Sequence, residues 1–176
     1  MKFILWGLVV VGVVVGAVYV GSRLGDQSLY EGGVGISVGD SVPAFSVTTT
    51  DGVVLTASEL RGKVVVITSA AMWCSTCVME AQQFAGVYHS LRNSDVVFLT
   101  IDIDPRESRE DIERFKKNYV TPWHYATAGN SVEIMDVLQL NRFEITYVID
   151  REGVIQFKDQ VITSFDELDN AILPLL

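Results

Sequence analysis

The chain has 176 residues, 49% of which are hydrophobic, and carries a formal net charge of −9 at pH 7. This acidic balance excludes the basic footprint of a nucleic-acid-binding protein, and it argues against adhesion to anionic lipid head groups. The length suffices for one hydrophobic core, and the excess of apolar residues lies at the amino terminus. We therefore expect one folded domain without a nucleic-acid partner, preceded by an apolar segment.

The apolar segment at residues 3–22 contains no charged side chain and is rich in valine. A helix rises about 1.5 Å per residue, so a segment of this length can cross a bilayer. A cleaved secretory signal is the alternative, but the run is long and lacks the small-residue pattern of a cleavage site at its end. We predict a retained transmembrane anchor at residues 1–22, with the folded domain on the extracytoplasmic side. The glycine-rich residues 23–41 are predicted to form a flexible tether.

Residues 42–176 alternate between strand and helix patterns. The patterns predict strands at 45–49, 53–55, 63–69, 96–103, 145–149 and 154–157. They predict helices after Cys74 and over 165–176, and two more that begin with Ser108 and Ser131 as capping residues. Turn signals at 51–52 and at 150–153 join the first and the last pair of strands into hairpins. Strands that alternate with helices, followed by a hairpin and a helix, predict an α/β sandwich.

The two cysteines of the chain lie three residues apart, as Cys74 and Cys77, between the apolar run 64–67 and a helical pattern. A strand that leads into a CxxC at the start of a helix is typical of a redox site. The unpaired N–H groups and positive end of the helix stabilise a thiolate, so we predict that Cys74 is the nucleophile. Cys77 follows one turn later on the same face and is the predicted resolving thiol.

Two neighbours of the cysteines are further candidates. Glu80 follows Cys77 by three residues, and we predict that burial raises its pKa and lets it relay the thiol proton. A solvent-facing glutamate without a role is the alternative. Trp73 is predicted to shape a docking surface beside the nucleophile, with a core-packing tryptophan as the alternative.

Four sequence blocks occur in a characteristic order. They are Gly39-Asp-x-x-Pro43-x-Phe45, Leu60-Arg-Gly-Lys63-Val-Val-Val-Ile67, Trp73-Cys74-x-x-Cys77-x-x-Glu80 and Tyr147-Val-Ile-Asp150-x-x-Gly153. Together they resemble the TlpA/ResA-like branch of the thioredoxin superfamily, which consists of membrane-tethered thiol-disulfide oxidoreductases. The resemblance implies a thioredoxin-like fold with a central mixed sheet flanked by helices, an exposed Cys74 and a shielded Cys77. It also implies electron exchange with extracytoplasmic protein thiols or disulfides, often in cytochrome maturation, without an organic cofactor.

The chain departs from this family at one position. Members carry a cis-proline in a loop that faces the CxxC, and the matching residue here is Glu144. A cis bond without proline costs about 2.5–4 kcal/mol, so we expect a trans or differently shaped loop. The family's loop presents backbone to the substrate, which makes Glu144 and Ile145 the predicted docking residues together with Trp73. Against Cys74, Glu144 would disfavour the thiolate and Arg142 would favour it.

Copper binding is the alternative function. The segment Thr100-Ile-Asp102-Ile-Asp104-Pro105 resembles the strand end of the Sco-like copper-binding proteins, which share the fold and the tether. Two thiolates suit Cu(I), but Sco-like proteins use a CxxxC and a distal histidine, and Arg142 occupies the histidine position here. His89 and His124 are interpreted as ordinary surface or packing residues, the latter in a short strand.

A peroxidase of the peroxiredoxin type is a third option. Such enzymes require a threonine three residues before the reactive cysteine to polarise the peroxide. Ala71 occupies that position, and it has no hydroxyl group. The sequence therefore argues against a peroxidase.

Overall fold

The computed structural model describes residues 33–91 and 94–176. The predicted anchor and residues 23–32 of the predicted tether lie outside the described residues. Within them, every helix is too short or too polar to cross a bilayer. The strands are β1 (Ser46–Thr48), β2 (Val54–Thr56), β3 (Val64–Ala70), β4 (Val96–Asp102), β5 (His124–Ala126), β6 (Thr146–Ile149) and β7 (Ile155–Asp159). The α-helices are α1 (Ser75–Ser90), α2 (Arg109–Tyr119), α3 (Val132–Val137) and α4 (Phe165–Ile172).

The central sheet has five strands in the order β5-β4-β3-β6-β7. Strands β3, β4 and β5 are parallel, whereas β6 runs antiparallel to β3 and forms a hairpin with β7. All seven residues of β3 are buried because this strand lies in the middle of the sheet with both faces covered. The predicted central mixed sheet is therefore confirmed. Strands β1 and β2 form the predicted hairpin, which is a sheet of its own.

Both faces of the sheet carry a hydrophobic core, because successive side chains of a strand point to opposite sides. Val64 and Val66 of β3 pack on one face in a core that includes side chains of α1, α2 and α4. Val65 and Ile67 pack on the other face in a core that includes side chains of β1 and α3. The helices flank both faces, as the resemblance to the thioredoxin superfamily implies.

The helix boundaries follow the predicted starts, with two differences. α2 begins with the predicted Ser108 cap, which exchanges hydrogen bonds with Asp111. α3 does begin after Ser131, but the prediction that this side chain caps it is wrong, because its hydroxyl donates to the carbonyl of Thr127 instead. The last helix ends at Ile172 rather than at 176 and continues as a 3-10 turn that contains Pro174, since proline has no N–H for an α-helical bond.

Ser69, near the end of β3, holds the loop that precedes β6. Its hydroxyl donates to the carbonyl of Arg142 at 2.8 Å and accepts the N–H of Ile145 at 3.0 Å. Its own carbonyl accepts the N–H of Glu144 at 2.8 Å, and its N–H donates to the carbonyl of Ile145 at 3.1 Å. Ser69 is fully buried. One residue of the central strand therefore fixes the loop at 142–145, which we call the facing loop.

Replacing Ser69 by alanine is expected to loosen the facing loop. The change leaves the buried N–H of Ile145 without its acceptor, which costs about 1–3 kcal/mol of the free energy of unfolding. Hydrogen exchange followed by NMR is expected to show faster exchange of the Ile145 amide. The exposed Ser58, replaced in the same way, is the control. Unchanged exchange at Ile145 in the Ser69→Ala protein would show that the hydroxyl does not hold the loop.

Candidate active site

The two cysteines are joined as a disulfide at the amino-terminal end of α1. Cys74 occupies the N-cap position, and its sulfur accepts the backbone N–H of Cys77 at 3.2 Å. The hydroxyl of Thr76 lies 3.1 Å from the same sulfur. These groups can stabilise negative charge on Cys74 once the disulfide is reduced. The geometry is therefore suited to a thiolate nucleophile at Cys74.

Both cysteines are shielded from solvent. Cys77 is 2% exposed, as expected for the shielded partner, and Cys74 is only 6% exposed. The expectation of an exposed Cys74 is thus wrong. The reason is the facing loop, whose Phe143 packs with Met72 against the small cluster that contains Ala71 and the two cysteines. The facing loop therefore contributes to the small exposure of Cys74.

Trp73 lies at the surface beside the disulfide and is 60% exposed. Its ring contacts Phe143 edge-on, with 5.4 Å between the ring centroids. Its indole N–H donates to Asp104 at 2.7 Å, and Asp104 also binds the guanidinium of Arg106. The hydrogen bonds from Arg106 hold the pKa of the Asp104 carboxyl well below its usual range. The alternative of a core-packing tryptophan is therefore wrong, and Trp73 is held at the surface by a charged neighbour.

Glu80 is buried in the first turns of α1, with 2% of its surface exposed. Its two carboxylate oxygens accept the N–H of Thr163 at 3.0 Å and the hydroxyl of Thr68 at 3.2 Å. Burial raises the pKa of Glu80 to about 7 despite these hydrogen bonds. Glu80 and Cys77 line the same cavity of about 10 Å³, which is close to the volume one water needs. The solvent-facing alternative is therefore wrong, because the carboxyl is buried beside the cavity that Cys77 also lines.

Glu144 of the facing loop points at the two sulfurs. One of its carboxylate oxygens lies within 4.8 Å of both Cys74 Sγ and Cys77 Sγ. Its oxygen Oε1 is buried and has no hydrogen-bond partner within the described residues. Its backbone is left-handed, with φ at 64°, and all peptide bonds of the described residues are trans. The expectation of a loop without a cis bond is confirmed.

The other predicted residues of the facing loop turn away from the disulfide. Arg142 is exposed, and its guanidinium donates to the carbonyl of Gln160. Ile145 is 3% exposed and packs in the core of one sheet face, while its N–H and carbonyl both bind Ser69. The structure thus argues against Ile145 as a docking residue and against Arg142 as a charge partner of Cys74.

Two acidic residues behind the motif, Asp102 and Glu107, are not among the predicted site residues. Glu107 accepts the N–H of Met72 at 2.7 Å, so a side chain from the loop before α2 anchors the segment leading to Cys74. Asp102 at the end of β4 is fully buried, and burial raises its pKa to about 7, with a further increase from the nearby Glu107. Asp102 pairs with Ala70 in the parallel strands β3 and β4, and this register places Asp102 and Glu107 near the CxxC motif. The acidic residue at the end of the predicted strand 96–103 was the only sign of this group in the sequence.

Comparison with known proteins adds to this geometry. The profile of the AhpC/TSA family matches residues 38–158. The chain belongs to the AhpC/TSA family. Among its relatives, the thiol-disulfide oxidoreductase ResA of Bacillus subtilis is 23% identical over 129 residues, covering 73% of this chain and 70% of ResA. A peroxiredoxin of Methanothermobacter marburgensis is 27% identical over 128 residues, covering 68% of this chain and 61% of that protein.

Solved structures of similar fold include a thiol:disulfide interchange protein of the thioredoxin family from Chlorobium tepidum. It has a TM-score of 0.67 and 19% identity, with 77% of this chain and 94% of that chain covered. A secreted disulfide oxidoreductase of Mycobacterium tuberculosis has a TM-score of 0.64 and 21% identity, with 74% and 96% covered. These structures confirm the thioredoxin-like fold of this AhpC/TSA protein. With the family match and the ResA relatives, the prediction of a thiol-disulfide oxidoreductase with a CxxC pair is confirmed.

Replacing Glu80 by glutamine is expected to flatten the pH dependence of the stability of the oxidised protein. The pKa of Glu80 is raised from 4.5 to about 7, so the folded state binds more protons than the unfolded state between these values. The free energy of unfolding contributed by Glu80 therefore falls as the pH rises from about 4.5 through 7, by about 3 kcal/mol at most. Glutamine has no such titration.

Urea unfolding at pH 5 and pH 8 measures this effect. The difference between the two pH values is expected to be smaller for Glu80→Gln than for the unaltered protein. Glu152→Gln, in the exposed turn between β6 and β7, is the matched control and is expected to leave the difference unchanged. Parallel pH curves for Glu80→Gln and the unaltered protein would contradict the raised pKa.

Proposed function

We propose that the protein is a membrane-anchored enzyme whose domain exchanges electrons with thiols or disulfides of extracytoplasmic proteins. The observation that carries the exchange is the Cys74–Cys77 disulfide at the start of α1, with a backbone N–H on the Cys74 sulfur. The uncharged residues 3–22 support the anchor, because their length matches a bilayer. The relationship to ResA of Bacillus subtilis supports the choice of protein substrates.

The exchange proceeds through a mixed disulfide. In the reduced protein, the Cys74 thiolate attacks a partner disulfide, and one partner sulfur leaves as a thiolate. Cys77 then attacks the Cys74 sulfur, which releases the second partner sulfur and forms the intramolecular disulfide. Two electrons pass from the pair to the partner, and a dithiol partner drives the same steps in reverse. The N–H groups at the start of α1 stabilise Cys74 whenever it carries negative charge.

Glu80 is the proposed proton acceptor for Cys77. The resolving thiol must lose its proton before it can attack, and a carboxyl with a pKa of about 7 both accepts and returns a proton near neutral pH. The small cavity that both residues line has about the volume of one water, which could carry the proton from Cys77 to Glu80. Ionisation of Glu80 near neutral pH therefore couples the proton transfer to the redox step.

Partners are proposed to dock over Trp73 and Phe143. These two rings form an apolar pair at the surface directly beside Cys74. Exposed aromatic side chains are enriched at protein interfaces because they bury much area with few rotatable bonds. A partner strand that contacts Trp73 and displaces the Phe143 ring would bring its own sulfur to Cys74.

The two alternative functions gain no support at this site. Arg142 occupies the position of the histidine ligand of Sco-like proteins, and its guanidinium binds the carbonyl of Gln160 instead. His89 is exposed on α1, and His124 lies on β5 beside Asp51. Ala71 is fully buried and cannot polarise a peroxide. Thiol-disulfide exchange thus remains the function that these residues support best.

Replacing Cys77 by serine is expected to trap partner proteins. Without the resolving thiol, the mixed disulfide between Cys74 and the partner persists, and non-reducing gels of cells that express the full chain should show larger, reductant-sensitive species. Cys74→Ser is the matched control, because the shielded Cys77 should trap little. Equal trapping by both variants would contradict the assignment of Cys74 as the nucleophile.

The proposed location is tested separately on the full chain in bacterial membranes. Alkaline carbonate should leave the protein in the membrane fraction, and protease added to intact spheroplasts should digest the domain. The anchor is wrong if carbonate releases the chain. The extracytoplasmic side is wrong if the domain is digested only after the spheroplasts are lysed.

A further inference from the structure

We propose that the reduced Cys74–Cys77 pair and Glu144 form a site for a divalent thiophilic cation, of which Zn²⁺ is the test ion. Their sulfur and carboxylate oxygen atoms all lie within 4.8 Å of one another. A tetrahedral Zn²⁺ holds such donors about 3.5 Å apart. Opening of the disulfide and a shift of the Glu144 side chain by about 1 Å would therefore suffice to form a three-ligand site with one open position.

The carboxylate of Glu144 is the feature that makes this site specific to the chain. Its buried oxygen Oε1 lacks a hydrogen-bond partner within the described residues, and a buried polar atom in that state costs free energy. The backbone cannot easily turn the group away, because Ser69 binds the N–H of Glu144 and the neighbouring Ile145. A bound cation would supply the partner that this oxygen lacks.

The donor set favours a divalent cation over Cu(I). Two thiolates and one carboxylate carry three negative charges, which leaves one net negative charge around Zn²⁺ and two around Cu(I). Carboxylate oxygen is a ligand that Zn²⁺ accepts, whereas Cu(I) selects soft sulfur donors. Glu144 is thus expected to strengthen Zn²⁺ binding and to contribute little to Cu(I) binding.

Metal binding and the disulfide exclude each other, because both use electron pairs of the same two sulfur atoms. Binding of Zn²⁺ to the dithiol releases two thiol protons, and oxidation of the pair by a partner disulfide releases the ion. Zn²⁺ therefore stabilises the reduced state. Each tenfold excess of Zn²⁺ over its Kd is expected to raise the reduction potential of the pair by about 30 mV.

Titration of the full-length protein in mild detergent against a chromophoric Zn²⁺ chelator tests the site. The reduced protein is expected to bind one Zn²⁺ per chain and the oxidised protein none. Glu144→Gln, which keeps the side-chain shape but removes the anionic ligand oxygen, should weaken Zn²⁺ binding at least ~10-fold, because even the loss of a residue that only supports a ligand costs that much. Cu(I) binding should change less than ~3-fold in the same variant.

Glu152→Gln, at the opposite end of β6, is the matched control and should bind Zn²⁺ as the unaltered protein does. If Glu144→Gln misfolds, Glu144→Gly repeats the test, because glycine suits the left-handed backbone at this position. Equal Zn²⁺ affinity with and without the Glu144 carboxylate overturns the proposal. So does equal binding by the oxidised protein, which would reflect the acidic surface alone.

The inference rests on the cysteine pair and not on the proposed partner or location. The titration needs no partner protein and no membrane side, and the trapping experiment with Cys77→Ser needs no metal. A negative result in either experiment therefore does not contradict the proposal that the other experiment tests.

Discussion

The hydrogen bonds of Ser69 are the constraint on which the active site depends. Ser69 lies on β3, the same strand that leads into Cys74, so the disulfide and the facing loop are positioned from one buried segment. The fully buried hydroxyl acts as both donor and acceptor for the loop. These hydrogen bonds hold a loop in which TlpA/ResA-like proteins carry a cis-proline. Glu144 keeps a left-handed backbone, which costs a non-glycine residue of order 1 kcal/mol. The Ser69 bonds offset this cost.

The groups around the two sulfurs have opposite effects on the stability of a thiolate. The start of α1 favours a thiolate at Cys74, whereas Glu80 and Glu144 disfavour any further negative charge nearby. The charge of Glu144 also contributes to the raised pKa of Glu80. Reduction of the disulfide therefore favours proton uptake, because the carboxylate of Glu144 and an ionised Glu80 both oppose a second thiolate. A divalent cation would relieve the same repulsion.

Periodic patterns in the chain were sufficient to predict the main elements and part of the site. Strand β3 and helix α1 follow from an apolar run and a 3–4 spacing, and the same spacing places Glu80 on the buried face of α1. The hydrogen bonds between Ser69 and the facing loop were not predictable in this way, because they join residues that lie 73 and 76 positions apart in the sequence. The contact of Glu107 with Met72 spans 35 positions and depends on strand register. Such contacts carry no periodic signal, and they decide which loop residues face the sulfurs.

Exposure of the buried Cys74 requires less free energy by rotation of the Phe143 side chain than by movement of the loop backbone. Phe143 packs against the cluster that contains Cys74, and its ring contacts Trp73 edge-on. Rotation of that ring forfeits an aromatic contact of about 0.5–1.5 kcal/mol and exposes some apolar surface, but it breaks none of the four hydrogen bonds that tie the loop to Ser69. Opening the backbone would break all four of them at about 1 kcal/mol or more each. A partner that replaces the Phe143 ring with its own apolar side chain against Trp73 restores most of the lost contact. A protein with an apolar residue beside its disulfide is therefore expected to displace Phe143 at a lower cost than a small thiol, which cannot replace the lost aromatic contact.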